Sequence, residues 1–360
     1  MRIGVIGAGQ LGRMLGVAAR DLGLECRFVD PSESPPAAST GDVIRKPFDD
    51  ADALSELAAS CDVVTYEFEN VPVAALLAIA DRVTVYPPPE ALRIAQDRLS
   101  EKRLFDRLDI PLPGYRAIDS LSQLETAVAT LGLPLVLKTR RFGYDGKGQI
   151  VISEHRHLKS AWDEMRQQPL IAEAWVAFEY EVSVIGVRNP AGEIAIWPLT
   201  RNEHIDGILR TSRAPVEDPG LLERASDYMH RVLRHLDYVG VLALELFVTG
   251  DDLLANEFAP RVHNSGHWTI EGAETSQFTN HLLAITGQAP RSTACHAHAG
   301  MINLIGAIPS GAAECSDPRA YLHDYDKTPR PGRKLGHITI VADSAKARDE
   351  RLRQLSECVT

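Results

Sequence analysis

Two glutamates lie in neighbouring apolar segments that are joined by a turn. Glu245 stands inside VLALELFV, Glu257 stands inside LLANEF, and TGDD connects the two segments. This pattern predicts a hairpin in which antiparallel pairing brings the two glutamates opposite each other. Two adjacent carboxylates repel unless a cation lies between them, and Mg²⁺ is the usual cation beside phosphates. The sequence therefore predicts a metal site. The alternative is that each glutamate pairs with an arginine, for which the candidates are Arg201, Arg210 and Arg213.

A glycine-rich loop lies between two short apolar segments farther upstream. The first segment, LVLK, ends in Lys138, and the loop RFGYDGKGQ carries Lys147 among three glycines. No Ser or Thr follows Lys147 and no helix follows the loop, so it is not a Walker A loop. A hairpin whose backbone N–H groups cover phosphates fits better, since a lysine ending an apolar strand is costly unless it meets an anion. The alternative is a mobile hairpin whose lysine reaches solvent.

A different glycine-rich turn, GAGQLG, follows the first apolar strand. Gly7, Gly9 and Gly12 have the spacing of a dinucleotide-binding turn, and Asp30 ends the next strand. By itself this pattern predicts a nicotinamide-dependent oxidoreductase. The alternative is that the glycines only allow a tight crossover from strand to helix. The turn-rich PSESPP after Asp30 and the phosphate-type chemistry farther along both weaken the dinucleotide interpretation.

Two further groups of residues could bind ions. His263 and His267 have the spacing of zinc ligands, but Asn264 and Gly266 disfavour a helix between them and no third ligand is evident. The segment DKTPRPGRK at 326–334 is the one dense basic cluster in the sequence. It is either a solvated surface loop or a phosphate site.

The elements that position these residues divide into three parts. Residues 1–97 alternate strands and helices at βαβ spacing, which predicts a Rossmann-like parallel sheet that ends near a triple proline. A helix is expected over 90–108. Residues 98–289 predict an α+β domain of strands joined by short turns, and residues 290–360 predict a smaller C-terminal domain. The predicted strands of the middle part are 135–138, 149–152, 170–172, 181–187, 194–199, 241–248 and 253–258.

The composition limits the partners of the chain. Its 360 residues carry 38 basic and 49 acidic side chains, a formal charge of −11. This balance argues against a nucleic-acid surface, which needs Lys and Arg to neutralise phosphates. No apolar run approaches the roughly 20 residues that span a bilayer. The five cysteines are scattered without a CxxC pair, which predicts reduced thiols in a cytoplasmic protein.

Seven motifs in consistent order resemble one family. GAGQLGRM, YEFENVP, QDRLSEK, FGYDGKGQ, LTRNEHIDGILRTS, NEFAPRVHNSGHWT and RPGRKLGHI are similar to segments of the N5-carboxyaminoimidazole ribonucleotide synthetases, within the ATP-grasp superfamily. The resemblance implies an ATP-grasp fold with an N-terminal Rossmann-like pre-ATP-grasp domain and a small C-terminal domain. It also implies a homodimeric ligase of purine biosynthesis. The implied substrates are ATP, with Mg²⁺, bicarbonate and 5-aminoimidazole ribonucleotide (AIR), which is carboxylated through carboxyphosphate.

The resemblance also implies roles for individual residues. Arg261, His263, Asn264 and Lys147 are implied to be catalytic, with Arg261, His263 and Asn264 placed for bicarbonate. Glu245 and Glu257 are implied to hold the metal. AIR is implied to meet Tyr144, Asp145, Lys327, Arg330, Arg333 and Lys334. The implied ATP residues are Arg98, Lys138, Gly143, Tyr144, Asp145, Gly146, Lys147, Gly148, Gln149, Glu173, Ala174, Trp175, Val176, Glu181, His204, Asn256 and Glu257.

One position departs from the family pattern, and three other functions compete with the leading one. Lys147 often corresponds to arginine in relatives, and lysine keeps the charge but loses the two-pronged hydrogen-bond geometry. The competing functions are another ATP-grasp ligase, such as a formate-using glycinamide ribonucleotide transformylase, the nicotinamide-dependent oxidoreductase, and a non-catalytic nucleotide-binding relative. The segments HNSGHWT and RPGRK argue against the formate-using ligase.

Overall fold

A computed structural model describes residues 1–143, 146–250, 252–309 and 317–359. Tyr144 and Asp145, which the sequence places in the ATP and AIR sites, lie outside the described residues. In the described ranges, no helix has the length and apolar character needed to cross a membrane.

The N-terminal part is a parallel sheet in the order β3-β2-β1-β4-β5, as the βαβ spacing predicts. Helix α1 begins at Gln10, within the glycine-rich turn, and its buried face includes Leu11, Met14 and Leu15. The elements are β1 Arg2–Ile6, α1 Gln10–Asp21, β2 Glu25–Val29, β3 Asp42–Ile44, α2 Ala51–Ser60, β4 Val63–Tyr66, α3 Val73–Leu77 and β5 Thr84–Val85.

The single helix expected over 90–108 is wrong, because the segment forms two helices. Helix α4 spans Pro89–Ala95 and α5 spans Arg98–Arg107. Asp97 separates them: its Oδ1 accepts hydrogen bonds from the Leu99 N–H at 3.0 Å and the Ser100 N–H at 3.4 Å. The Arg140 guanidinium also donates to both carboxylate oxygens of Asp97. An aspartate that satisfies the free N–H groups of a first turn begins a new helix.

A four-stranded sheet in the order β6-β9-β7-β8 follows. Strands β7 and β8 form the hairpin that carries the second glycine-rich loop, and β8 has the predicted bounds. The predicted strand at 170–172 extends two residues farther as β9. The elements are β6 Tyr115–Ile118, α6 Leu121–Leu131, β7 Leu135–Thr139, β8 Gln149–Ile152, α7 Leu158–Met165 and β9 Leu170–Ala174.

The rest of the chain forms a nine-stranded sheet in the order β15-β14-β10-β12-β13-β16-β18-β17, with β11 paired to β10. The C-terminal strands join the central ones through the pairing of β13 with β16. The strands are β10 Tyr180–Arg188, β11 Ile194–Ile196, β12 Thr200–Ile205, β13 Ile208–Ala214, β14 Gly240–Thr249, β15 Asp252–Ala259, β16 His298–Ile305, β17 Ala320–Asp324 and β18 Lys334–Ala342. The helices are α8 Pro219–His235, α9 Thr269–Gly272, α10 Gln277–Ile285 and α11 Ala345–Val359.

The predicted strand at 194–199 is too long. Strand β11 ends at Ile196 and β12 begins at Thr200, with Pro198 between them. A proline has no N–H to donate to a sheet ladder. Trp197 is buried, and its indole N–H donates to the Thr275 carbonyl at 3.0 Å.

The two glutamates of the predicted hairpin lie opposite each other, as the sequence predicts. Glu245 of β14 pairs with Glu257 of β15. The turn, however, pairs Thr249 with Asp252, and continuing that register would place Glu245 opposite Asn256. A β-bulge next to Glu245 inserts one residue into β15 and restores the pairing with Glu257. In a bulge two residues oppose one, which lets the consecutive Asn256 and Glu257 both line the same cleft.

A buried histidine joins the parallel sheet to the nine-stranded sheet. The Val241 N–H donates to Nδ1 of His281 at 3.1 Å, so the ring proton is on Nε2, which lies 3.0 Å from Oγ1 of Thr65. Burial lowers the pKa of His281 to about 3. The ring therefore stays neutral in the folded protein, whereas in the unfolded chain it takes up a proton below about pH 6.5.

Because the folded-state pKa of His281 is depressed, its contribution to stability is present above pH 6.5 and is lost as the pH falls. The replacement His281→Gln keeps one donor and one acceptor but cannot titrate. We predict that the decrease in unfolding free energy from pH 7.5 to pH 5 is about 2 kcal/mol smaller in His281→Gln than in the parent. Urea unfolding at both pH values measures this difference. His235→Gln, at an exposed position at the end of α8, is the matched control and should behave like the parent. Equal losses for His281→Gln and the parent would contradict the assignment.

Candidate active site

The three sheets enclose a cleft of about 460 Å³ that contains most of the predicted site residues. Lys147, Gly148, Lys327, Arg330 and Arg333 are not among the described residues that line it. The predicted residues that line it are Arg98, Lys138, Gly143, Gly146, Gln149, Glu173, Ala174, Trp175, Val176, Glu181, His204, Glu245, Asn256, Glu257, Arg261, His263, Asn264 and Lys334.

A buried carboxylate between two lysines lies beside the glycine-rich loop. Oε2 of Glu173 is 2.8 Å from Nζ of Lys138 and 3.6 Å from Nζ of Lys102. Burial raises the pKa of Glu173, but the charges of the two lysines outweigh burial and lower the pKa to about 2. Lys102 also donates to the carbonyl of the bulged Asn256 at 2.6 Å. Lys102 was not predicted as a site residue, although it ends the quoted motif QDRLSEK.

The glycine-rich loop has the backbone conformation that its composition predicts. Gly146 and Gly148 adopt φ values of +75° and +73°, which are strained for other residues. Lys147 lies between them and is exposed. The loop therefore reaches the edge of the cleft through its glycines, and Gly143 and Gly146 line it directly.

The paired glutamates contact a histidine and Arg98 rather than the candidate arginines. Oε1 of Glu245 is 3.1 Å from Nε2 of His263, and Oε2 of Glu257 is 3.1 Å from Nη1 of Arg98. Burial raises the pKa of Glu245, but its hydrogen bond with His263 and the charges of His263 and His204 outweigh burial and lower the pKa to about 2.

Two of the arginines named as alternative partners contact other residues instead. The guanidinium of Arg201 stacks on the ring of Tyr180 at 4.2 Å, and Arg213 pairs with Glu203. In the described part of the chain, no group of three or more His, Cys, Asp or Glu could hold a metal by itself. Two carboxylates and an asparagine fit Mg²⁺, which keeps waters and takes further oxygens from a phosphate ligand.

One part of the cleft is apolar, and a glutamate–histidine pair lies in the same lining. The rings of Phe178 and Phe247 stack with their centroids 4.7 Å apart, and Trp175 lies beside them in the lining. Glu181 of β10 pairs with Nδ1 of His204 on β12. Burial lowers the pKa of His204, but the hydrogen bond with Glu181 and the charge of Glu245 outweigh it, and the pKa is raised. A flat apolar ring and polar hydroxyls beside it would fit this part of the cleft.

Another part of the cleft lining holds polar groups that lack partners. Nη2 of Arg261 pairs with Oε1 of Glu69 at 2.5 Å, but its buried Nε has no hydrogen-bond partner among the described residues. Both side-chain polar atoms of Asn264 are buried there without a partner as well. Unpaired buried donors and acceptors are costly, so these groups indicate a site for a small polar ligand. Glu69 was missed as a site residue, although it lies in the quoted motif YEFENVP.

The basic cluster of the C-terminal part lies at the start of helix α1. Nζ of Lys327 donates to the Gln10 side chain, and Gln10 and Lys334 both line the cleft. Burial, reinforced by the charge of Arg333, lowers the pKa of Lys327 to about 8. Lys327 is therefore a partly buried cation near a helix N-terminus, which is a suitable place for an anion.

The first glycine-rich turn is occupied by a side chain of the protein. Oε1 and Oε2 of Glu67 accept hydrogen bonds from the N–H groups of Gly9 and Gly12, the latter at 2.6 Å. Asp30 accepts from the Ala8 N–H at 2.9 Å and the Ser32 N–H at 2.8 Å. A pyrophosphate would need the N–H groups that Glu67 uses, and a ribose would need the carboxylate that the backbone holds. This geometry argues against the dinucleotide interpretation.

The histidine pair does not form a zinc site. His267 is buried against Gln277 and the ring of His337, whereas His263 points to Glu245. Only a three-residue 3-10 helix, Asn264–Gly266, lies between the two histidines, so they are not on one face of a regular helix. Among the described residues, Cys26, Cys61, Cys295 and Cys358 are free thiols, and Cys315 lies outside the described residues.

The fold and the cleft define an ATP-grasp protein. Family models match residues 1–96 as a ribonucleotide synthetase preATP-grasp domain, 103–278 as an ATP-grasp domain, and 299–351 as a phosphoribosylaminoimidazole carboxylase C-terminal domain. Among curated relatives, the N5-carboxyaminoimidazole ribonucleotide synthase of Pseudomonas aeruginosa is 48% identical over 340 residues, which are 94% of each chain. The chain belongs to the N5-carboxyaminoimidazole ribonucleotide synthase family.

Solved structures agree with this membership. The synthetase from Thermus thermophilus has a TM-score of 0.96 at 47% identity and covers 99% of this chain and 98% of its own. The Aspergillus clavatus synthase, solved in complex with ADP and 5-aminoimidazole ribonucleotide, has a TM-score of 0.92 at 31% identity. That match covers 99% of this chain and 98% of the other.

We predict that NADH and NADPH do not bind saturably at micromolar concentrations, because Glu67 and the backbone already use the groups that a dinucleotide needs. Titration followed by nicotinamide fluorescence measures this binding. Mg-ATP, followed by calorimetry on the same preparation, is the positive control. Saturable micromolar binding of either nicotinamide nucleotide would contradict the prediction.

Proposed function

We propose that the protein uses ATP and bicarbonate to carboxylate AIR, giving N5-carboxyaminoimidazole ribonucleotide in purine biosynthesis. The observation that carries the proposal is the single cleft that joins Lys138, the paired Glu245 and Glu257, and the unpartnered groups of Arg261 and Asn264. Family membership supports the same reaction, since the relatives bear this name and one was solved with ADP and AIR.

ATP is assigned to the apolar part of the cleft and to the cations next to it. The adenine lies by Phe178 and Phe247, reads the backbone of 174–176, and leaves its ribose near Glu181 and His204. Lys138, Arg98 and the N–H groups of the glycine-rich loop hold the phosphates. Lys102 lies behind them and shares Glu173 with Lys138. The two lysines together carry one more positive charge than Glu173 neutralises, and this charge is available to the phosphates. Phosphoryl transfer depends mainly on such positioned charges.

Mg²⁺ is assigned to Glu245 and Glu257, with Asn256 beside them in the bulge. When bound, the ion would neutralise charge on the ATP phosphates. His263 and Arg98 hold the two carboxylates in place from either side. The carboxylates are thereby kept ionised and oriented, which suits a hard cation with oxygen ligands.

Bicarbonate is assigned to Arg261, His263 and Asn264. A bicarbonate oxygen attacks the γ-phosphorus of ATP, ADP leaves, and carboxyphosphate forms. The exocyclic amine of AIR then takes the carboxyl group, directly or after release of CO₂, and the departing phosphate accepts the amine proton. Arg261 can grip a planar oxyanion through two N–H groups, and Asn264 supplies both a donor and an acceptor.

AIR is assigned to the space between α1 and the C-terminal strands. Lys327, Arg330, Arg333 and Lys334 provide positive charge for its phosphate, and Tyr144 and Asp145 are assigned to its base and amine. Lys147 lies in the loop between the ATP and AIR sites, where closure of the loop would exclude water from carboxyphosphate. Where relatives often have arginine, Lys147 keeps the positive charge but lacks the paired hydrogen bonds of a guanidinium.

The remaining assignments complete the proposal. The chain divides into an N-terminal domain of 1–97, an ATP-grasp domain of 98–289 and a C-terminal domain of 290–360. The family resemblance supports a homodimer, and the free thiols support a cytoplasmic location. Neither nucleic acid nor a membrane is a partner.

The proposed reaction is tested by measuring the release of ADP, which should require both AIR and bicarbonate. Stimulation of ADP release by another amine instead of AIR would contradict the proposal.

Replacement of Glu257 by glutamine removes one ionised ligand while preserving its shape. We predict that Glu257→Gln lowers kcat by about 100-fold or more and raises the Mg²⁺ concentration needed for half-maximal rate, because a preorganised charge is lost at the phosphates. Steady-state rates at varied Mg²⁺ measure both effects. The control is Glu203→Gln, at a glutamate whose partners are Arg213 and Thr211, and it should keep the parent rate. An active Glu257→Gln enzyme with unchanged Mg²⁺ dependence would contradict the metal assignment.

Lys327 makes capture of AIR dependent on pH. Its lowered pKa of about 8 means that its charge is present below pH 8 and is lost above it. We predict that kcat/KM for AIR falls up to about 10-fold between pH 7.5 and pH 9, while kcat/KM for ATP changes less. Lys327→Arg, which stays charged over this range, should remove the decrease. A decrease of equal size in Lys327→Arg would assign the pH dependence to another group.

A further inference from the structure

The segment that carries the bicarbonate residues is held by one buried glutamine. Oε1 of Gln277 accepts from the His263 N–H at 2.9 Å, and Nε2 of Gln277 donates to the His263 carbonyl at 2.6 Å. Both ends of one side-chain amide therefore bind both polar groups of one backbone residue. Gln277 is fully buried and belongs to the first turn of α10, not to the cleft lining.

Gln277 is itself fixed by hydrogen bonds that run back to the same segment. Its backbone N–H donates to Oγ1 of Thr269 at 3.0 Å, and that hydroxyl donates to the Gly266 carbonyl at 2.6 Å. A Cβ atom on Gly266 would lie 2.7 Å from Oε1 of Gln277 and 2.4 Å from Cδ1 of Ile185, so only glycine leaves room for the amide. The amide thus has little freedom to turn away from His263.

Holding the His263 backbone also sets the neighbouring side chains. Arg261 and Asn264 lie two residues before and one residue after His263, and both carry buried polar atoms without a partner. The His263 ring in turn meets Glu245 through Nε2 and the Ser265 hydroxyl through Nδ1, at 3.1 and 2.8 Å. Reacting groups need to be placed within a fraction of an ångström, so a shift of this backbone would misplace the oxyanion contacts.

We propose that Gln277 is a positioning residue for bicarbonate, acting through the backbone of His263. This inference rests on the proposed assignment of bicarbonate to Arg261, His263 and Asn264. Gln277 does not touch the substrate in this account. It determines where the oxyanion groups stand and leaves the ATP end of the cleft unchanged.

The same helix provides a matched control. Asn280 is fully buried three residues farther along α10, and its amide grips the Arg291 backbone from both ends: Nδ2 donates to the carbonyl at 3.1 Å and Oδ1 accepts from the N–H at 2.8 Å. Neither Asn280 nor Arg291 lines the cleft among the described residues. A purely structural role would make the loss of either amide equivalent for catalysis.

The experiment compares Gln277→Met with Asn280→Leu, two replacements of similar size that lack the amide. Initial rates are measured with bicarbonate varied at saturating ATP and AIR, and with ATP varied at saturating bicarbonate. For Gln277→Met we expect KM for bicarbonate to rise at least 10-fold while KM for ATP stays within twofold of the parent. For Asn280→Leu both constants should stay within twofold. A Gln277→Met enzyme with an unchanged KM for bicarbonate, or an equal rise in both variants, would overturn the proposal.

A second variant covers the case in which Gln277→Met does not fold. In Gln277→Glu the introduced carboxyl can replace both hydrogen bonds only when protonated, since its O–H then donates to the His263 carbonyl. We expect the ratio of its KM for bicarbonate to that of the parent to be near one at pH 6 and to rise at least fivefold by pH 8.5. A KM for bicarbonate that stays at the parent value once the introduced carboxyl has ionised would contradict the positioning role.

Arg261→Lys separates failure of this inference from failure of the proposed function. If Arg261→Lys leaves KM for bicarbonate unchanged, the bicarbonate assignment is wrong and the role of Gln277 falls with it. If Arg261→Lys raises KM for bicarbonate and Gln277→Met does not, the bicarbonate site stands and only the positioning role is wrong.

Discussion

The pairing of β14 with β15 is the constraint on which the rest of the cleft depends. It places Glu245 and Glu257 opposite each other, and a slip of one residue would turn Glu257 to the other face of the sheet. The surrounding cations are arranged about this point. Lys102 binds the carbonyl of the bulged Asn256, and Arg98 pairs with Glu257. The bulge is therefore a positioning element, since it puts an amide and a carboxylate from consecutive residues into one cleft.

The cationic side chains of the cleft are paired with carboxylates, and an anionic ligand can take the place of the carboxylate. Lys138 is paired with Glu173, and Arg261 with Glu69. A buried charge without a partner is costly, so these pairs keep the cations oriented before a phosphate or an oxyanion arrives. Glu173 is shared between two lysines, so an anion that takes over Lys138 leaves Glu173 with Lys102. The charges of the cleft are therefore preorganised, and little reorientation of the protein is needed during the reaction.

The sequence predicted the local parts of this arrangement. The parallel sheet, the glycine-rich hairpin and the opposed glutamates follow from periodicity, turn composition and spacing within short segments. The predicted pairing of the glutamates is correct because the bulge at Asn256 compensates for the register of the turn, which pairs Thr249 with Asp252. No local signal marks that bulge. The helix break at Asp97 was missed because the capping carboxylate lies inside a continuous helical pattern.

The contacts between residues far apart in the chain could not be predicted from the sequence. Glu67 reaches the glycine-rich turn from 58 residues away, and Glu69, in the loop after β4, reaches Arg261, in the loop after β15. Gln277 and His263 are 14 residues apart with a short helix between them, so their amide contacts depend on how α9 and α10 fold back. The motifs marked several of these residues as unusual, but only the tertiary structure assigns their partners.

The most direct test of the account is a crystal structure with Mg²⁺ and a non-hydrolysable ATP analogue. We expect one cation bound to both Glu245 and Glu257, with Mg–O distances of about 2.1 Å, and phosphates next to Lys138. A structure in which the analogue binds elsewhere, or in which Glu245 and Glu257 keep only His263 and Arg98 as partners while the nucleotide is bound, would contradict it.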